Sequence, residues 1–275
     1  MRSFGEGCTG MENPANIDRT VFITGGGEGI GRACALLCAR RGYRVVVFDT
    51  NAQTANETAE RAIALGSKAA LALACDVTDE PQVERAFDEA ASRLGAPYGL
   101  FANAGIDIGG LIHELPLATW RKVVDTNLTG VFLSCKHGLR LMLAAGVPGG
   151  SIVCASSASG FVASPSFGAG AYSSTKGGIS SLVRCLAIDY AQYGIRVNAV
   201  VPGATETGLM WNNVAPDDIA GLREQICKQI PLGRLAQPED PAKAVLWLLS
   251  DDSAYVTGSQ LVCDGGILAQ SSISI

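Results

Sequence analysis

Seven short runs of apolar, largely β-branched residues recur along this chain, and longer segments with helical spacing separate them. The runs fall at residues 20–24, 43–49, 68–77, 98–102, 151–156, 195–201 and 260–263. In a stretch such as Val45-Val46-Val47-Phe48 no polar residue alternates with the apolar ones. A strand made from it must be covered on both faces, as in a parallel sheet. Helical spacing fills 30–41, 53–65, 78–94, 117–145, 171–193 and 238–249, with Thr78 reading as the N-cap of the third helix and Pro81 in its first turn. Such alternation, with short connections and no repeat, predicts the α/β class: a doubly wound, parallel seven-stranded sheet with helices on both faces.

With 275 residues, 48% hydrophobic and only 17% charged, the chain can bury a large core in one domain spanning 18–275. Residues 1–17, polar and containing Gly and Asn, read as a flexible extension without the apolar stretch of a signal peptide. No apolar run reaches membrane-spanning length. The net charge of −5 excludes nucleic acid or an anionic membrane as the main partner. Nine cysteines form no C-x-x-C pair and accompany only two histidines, so no metal site is expected and a reducing, cytoplasmic compartment is.

In a sheet of this kind ligands bind beyond the carboxyl ends of the strands. That rule places Thr24 to Gly31, Asp49, Asp76, Asn103, Ser157 and Pro202 on one rim. The first strand meets the first helix through Gly25-x-x-x-Gly29-x-Gly31, with Gly27 and Glu28 inside the turn and Ile30 opening the helix. The spacing departs from the common G-x-G-x-x-G fingerprint. A helix starting from such a turn presents free backbone N–H groups and the positive end of its dipole, which suit a phosphate or pyrophosphate. Asp49, closing the second strand, stands where an acid would accept hydrogen bonds from adenosine ribose hydroxyls and repel a 2′-phosphate. Glu28 adds negative charge, so NAD is expected rather than NADP. Tyr172 and Lys176, four residues apart, share one helix face. A phenol titrates near ~10, and an adjacent ammonium would bring it towards the working range of an acid/base.

Taken together, Thr24-Gly25-x-x-x-Gly29-x-Gly31, Asn103-Ala104-Gly105, Asn127, Ser157, Tyr172-x-x-x-Lys176, Pro202-Gly203 and Asp264-Gly265-Gly266 resemble the short-chain dehydrogenases/reductases in type and order. The resemblance covers residues 18 to 268. It implies a Rossmann-like domain and an NAD-dependent oxidoreductase that interconverts a secondary alcohol and a ketone. By it, Tyr172 is the general acid/base. Lys176 lowers the Tyr172 pKa and holds the nicotinamide ribose, Ser157 bonds the substrate oxygen, and Asn127 keeps the long helix open around a proton-relaying water. Gly25, Gly27, Glu28, Gly29, Ile30 and Gly31 would cradle the pyrophosphate side. Asp76 and Val77 would flank the adenine, Asn103, Ala104 and Gly105 the central strand end. Pro202, Gly203, Thr205 and Thr207 would lie by the nicotinamide, with Thr207 on the carboxamide.

The interval from Ser157 to Tyr172 is a little longer than is usual in that family, and Ser159 would restore the count. The strand-end motif favours Ser157, with a short insertion in the loop 161–170. Residues 205–230 read as a substrate lid containing Met210, Trp211 and Leu222. Trp120, Trp247 and Cys154 read as packing residues and His113 as a solvated loop histidine. The pocket segments 106–115, 161–170 and 206–230 carry Ile, Leu, Phe, Met and Trp with few charges, which favours a small neutral substrate. The family alternatives are a cis-diol or sugar dehydrogenase; outside enzymes, the alternative is a catalytically silent dinucleotide-binding sensor or scaffold. The two long helices are apolar on more than one face, and the resemblance implies a homotetramer, or a homodimer, formed through them.

Overall fold

All seven expected strands form, and all run parallel in one sheet. In this computed structural model the described residues are 18–146, 149–163 and 168–270; the 1–17 extension and part of the 161–170 loop lie outside them. The first half runs β1 (Thr20–Thr24), α1 (Gly29–Arg40), β2 (Arg44–Asp49), α2 (Ala52–Ala64), β3 (Ala70–Ala74), α3 (Glu80–Leu94) and β4 (Pro97–Ala102). Next come α4 (Leu117–Val124), α5 (Gly130–Ala144), β5 (Gly150–Ala155), α6 (Gly170–Tyr190) and β6 (Ile195–Pro202). The chain continues through α7 (Gly208–Trp211), α8 (Ile219–Gln229), α9 (Glu239–Leu249) and β7 (Gln260–Cys263). The strand order is β3-β2-β1-β4-β5-β6-β7, so the winding reverses between β1 and β4, whose ends align Thr24 with Ala102.

The unbroken apolar runs are explained by a core on each face. Phe22, Val46, Phe48, Leu100, Ile152 and Val197 point to one side and meet α3, α5 and α6. Val21, Ile23, Val45, Val47, Phe101 and Val153 point to the other and meet α1, α2 and α9. On the first side Phe22, Phe48 and Phe87 form an aromatic cluster with centroids 4.6–5.4 Å apart.

Three local expectations change. The third helix is capped by Asp79, which accepts from the Gln82 amide, and not by Thr78. Thr78 is captured instead by the Asp76 carboxylate, to which both its amide and its hydroxyl donate. β3 stops at Ala74, short of the expected 77, because that Asp76–Thr78 turn bends the chain out of the sheet. Finally, 117–145 is not one regular helix: between α4 and α5 the backbone widens into a single π-turn at Asp125–Thr129. Trp247 is 39% exposed on α9 and therefore only partly a packing residue, whereas Cys154 is wholly buried. Among the described residues, no helix is long and apolar enough to cross a membrane, and no group of three or more His, Cys, Asp or Glu could hold a metal ion.

Candidate active site

Along the carboxyl rim, beside the reversal point, lies a cleft of about 1040 Å³. One wall is the glycine turn. Gly25 and Gly29 adopt φ of +61° and +51°, a region that costs other residues energy. Gly31 lets α1 start directly against the Gly25 carbonyl, where a side chain would collide. The cap residue Glu28 makes no side-chain bond to the first turn of α1, so its amides stay available, and Gly29 and Ile30 line the cleft. Asn103 holds this wall in place. Its side chain donates to the Thr24 and Gly25 carbonyls at 3.1 and 3.0 Å, and its amide donates to the Thr24 hydroxyl.

At the end of β2, Asp49 accepts from the amides of Gly27 (2.9 Å) and Asn51 (3.0 Å). The cap of α2 is Asn51, which accepts from Gln53 and Thr54, so Asp49 is free of that duty. Arg32, the base that follows the motif, is held by the Gly27 carbonyl, Thr58 and Glu57. The basic residues that do line the cleft, Arg121 and Lys122, belong to α4.

The expected cofactor residues divide by position. Gly25, Glu28, Gly29, Ile30, Asp49, Asp76, Val77, Asn103, Ala104, Gly105 and Thr207 line the cleft. Gly27 and Gly31 are built into the turn behind that lining. Pro202, Gly203 and Thr205 brace it. A Cβ on Gly203 would press on Asp264, and the Thr205 hydroxyl donates to the Gly203 carbonyl. The cleft has the volume of a cofactor pocket, roughly 300–1,000 Å³. Uncapped amides at one wall and Asp49 at the end of β2 fit a dinucleotide, with its phosphates at the former and a ribose at the latter.

None of the expected tetrad lines the cleft itself; Asn127 and Lys176 stand behind its wall at Gly105, where β4 ends. A Cβ on Gly105 would sit 3.3 Å from Asn127 Oδ1 and 3.7 Å from Lys176 Nζ. Asn127, fully buried inside the π-turn, accepts from the Ile106 amide and donates to the Ile106 carbonyl, both at 2.8 Å, with a longer bond to Thr175. Lys176 is 4% exposed and donates to the Ala155 carbonyl at 2.7 Å. Burial lowers its pKa to about 8. Burial pushes the Tyr172 phenol up to about 12, the Ser157 hydroxyl acts in the opposite direction, and the charge of Asp107 adds to the rise. The expected lowering by Lys176 does not act on Tyr172 in this arrangement: the amine, 5.4 Å from the Tyr172 ring centre, is engaged by the Ala155 carbonyl. The Ser157 hydroxyl lies close enough to the phenol to lower its pKa, and it accepts from the Ser159 amide at 3.2 Å.

The 205–230 segment is anchored at its base by a bridge between Thr205 and Ala236. Thr207, Gly208, Leu209 and Asn212 reach the cleft. Trp211 faces its own segment, donating to Glu206 at 2.7 Å beneath the Arg223 guanidinium. His113 is exposed, as expected. Two groups of site residues were not anticipated from the sequence. Arg121 and Lys122 of α4 and Asp125 and Thr126 of the π-turn after it line the cleft as well. Asp107 stands beside the tetrad, and extending the strand-end rule two residues past Gly105 would have found it.

A family profile described as enoyl-(acyl carrier protein) reductase matches residues 25–268. The cis-4-hydroxycyclohexanecarboxylate dehydrogenase of Sinomonas cyclohexanicum is 42% identical over 256 residues, covering 93% of this chain and 98% of that protein. Cyclohexanol dehydrogenase of an Acinetobacter species is 40% identical over 258 residues, with 93% and 96% covered. The crystal structure of a short-chain type dehydrogenase/reductase from Mycobacterium marinum superposes with a TM-score of 0.86 at 33% identity, covering 93% of this chain and 97% of that one.

Proposed function

The chain belongs to the short-chain dehydrogenase/reductase family, and on that premise we propose that it is an NAD-dependent dehydrogenase interconverting a neutral secondary alcohol and its ketone. The carrying observation is that Asn127 and Lys176 lie directly behind Gly105, a residue of the cleft wall, with Tyr172 and Ser157 next to Lys176, while other parts of the cleft hold uncapped helix amides and Asp49. A nicotinamide dinucleotide held there supplies the hydride acceptor for oxidation and the donor for reduction.

The protein's own groups manage the proton and the geometry. Tyr172 takes the hydroxyl proton as the alcohol is oxidised and returns it in the reverse direction. Ser157 bonds the same oxygen and stabilises charge as it develops. Lys176, drawn from the Ala155 carbonyl towards the phenol and a ribose, would supply the positive field that Tyr172 lacks in the arrangement described above. Asn127 fixes the end of β4 through Ile106, and the π-turn around it fits an opening for a proton-relaying water.

Asp49 supports NAD: a 2′-phosphate would meet its carboxylate, while Arg32 is engaged by the Gly27 carbonyl and Thr58. The apolar side chains Leu111, Ile112, Phe161 and Val162, exposed in the segments flanking the tetrad, support a neutral, partly apolar substrate. The eight cysteines among the described residues are all free, which supports a reducing, cytoplasmic compartment. Outward-facing Leu117, Phe132 and Ile188 support association through α4, α5 and α6 into a homotetramer or homodimer, and a monomer by sedimentation at micromolar concentration would refute it.

A panel of secondary alcohols and ketones followed by nicotinamide absorbance tests the reading. Turnover should fall by about 10²–10⁴-fold in Tyr172→Phe while NAD still binds. Ser157→Ala should remove most turnover and Ser159→Ala should not. NAD binding with no turnover of any alcohol or ketone by the wild-type chain would favour the silent-binding alternative.

A further inference from the structure

Three carboxylates near strand ends on the carboxyl rim have protein donors. Asp49 has the Gly27 and Asn51 amides, Asp76 has Thr78, and Asp264 has the Gly266 and Leu268 amides. Asp107 differs. Its side chain is half-buried, yet no hydrogen bond or ion pair to its carboxylate occurs among the described residues. Its backbone is held on both sides. Ile106 is clamped by Asn127, and the Asp107 carbonyl accepts from Asn213 at 3.3 Å, in the segment between α7 and α8. A carboxylate without a donor loses part of its hydration, and the charge of Lys176 offsets only part of that loss.

From this geometry we propose that Asp107 is a substrate-binding residue, accepting a hydrogen bond from a second hydroxyl of the substrate, so that the preferred substrates are diols or polyols. The inference rests on the dehydrogenase reading and narrows its substrate class.

The position suits the role. Asp107 follows Gly105 and Ile106, the residues that carry the β4 end past Asn127 and Lys176. Its neighbour Ile106 lines the cleft, and the charge of Asp107 acts on both Tyr172 and Lys176. The nearby Lys176 already supplies a cation, so a substrate ammonium would add like charge, whereas a hydroxyl donates without it. Asn213 then ties the same residue to the segment that would cover the substrate. A site that hydrogen-bonds a hydroxyl discriminates strongly against analogues lacking it, because its own polar group is left unpaired.

Matched pairs test this: cyclohexanol against cis-1,2-cyclohexanediol, and 2-butanol against 2,3-butanediol, each with NAD. For the wild-type chain kcat/KM should favour the diol in at least one pair. In Asp107→Asn and Asp107→Ala the diol-to-monoalcohol ratio should fall by about 10-fold or more, the loss of one hydrogen bond to a charged group. A ratio within twofold of wild type in both variants overturns the proposal, since a purely structural or electrostatic role would lower both substrates alike. A wild-type preference for the monoalcohol in both pairs overturns it too. Failure to oxidise any of the four alcohols would instead strike the dehydrogenase reading itself, and the proposal with it.

Discussion

Replacing Asn127 by alanine should damage stability and catalysis together, and the size of the first effect can be worked out. The side chain is 0% exposed and makes two 2.8 Å bonds to Ile106. Deleting it strands one amide and one carbonyl, at about 1–3 kcal/mol for each unsatisfied group. Ile106 lines the cleft, so water reaches it and the lower half of that range applies, for a total of about 2–4 kcal/mol. For a chain of this size each kcal/mol moves Tm by roughly 2–4 °C, so a drop of about 4–16 °C is expected. Urea titration at unchanged m value, together with calorimetry, measures this, and turnover measured on the folded fraction reports the site. Asn127→Asp is the sharper companion. It keeps the acceptor for the Ile106 amide but turns a second oxygen on the Ile106 carbonyl and buries a charge, so it should be no more stable than the alanine variant. An alanine variant within 1 kcal/mol of wild type and fully active, or an aspartate variant that restores stability, would refute the assignment of Asn127 as the clamp on β4.

Two further predictions concern charge. Lys176 titrates at about 8 when folded, while an unfolded lysine titrates near ~10.4. Between those values the unfolded chain binds the extra proton, so this group destabilises the fold fully below pH 8 and is relieved as pH rises towards 10. In the dinucleotide-free protein, the stability of wild type relative to Lys176→Met should therefore rise by roughly 1 kcal/mol per unit between pH 8 and 10; parallel urea midpoints across that interval would contradict it. Asp49→Ser should lower the ratio of NAD to NADP catalytic efficiency by about 10-fold or more, by removing the charge that repels a 2′-phosphate. An unchanged ratio would show that Asp49 does no more than hold Gly27.

Much of the fold is legible in the sequence because strands covered on both faces must be apolar throughout, as Val45 to Phe48 are. The glycine turn is legible for a related reason, since positive φ and close backbone approach leave few other residues acceptable. What escapes notice has the same physical root each time. A π-turn at Asp125–Thr129 alters helical phase by a fraction of a turn, which the apolar spacing of 117–145 does not register. Thr78 and Asp79 are both good caps, and the choice between them is made by Asp76, whose position depends on the sheet. Tyr172 and Lys176 share a helix face as their spacing says, but spacing carries no information on burial or on the Ala155 carbonyl that takes the amine. Asp107 belongs to no motif and is noticed only when its missing donor is.

The dependence of the glycine turn on Asn103 sets an order of events during synthesis. The side chain that holds Thr24 and Gly25 in place lies 79 and 78 residues further along the chain. A ribosome that has released only β1 through α3 has therefore made a strand, a glycine loop and a helix, but not a finished cradle. Dinucleotide capture by the nascent chain should begin only once β4 has emerged and inserted beside β1. From that point the ligand would stabilise the half-made sheet by mass action, acting as a template for the strands still to come.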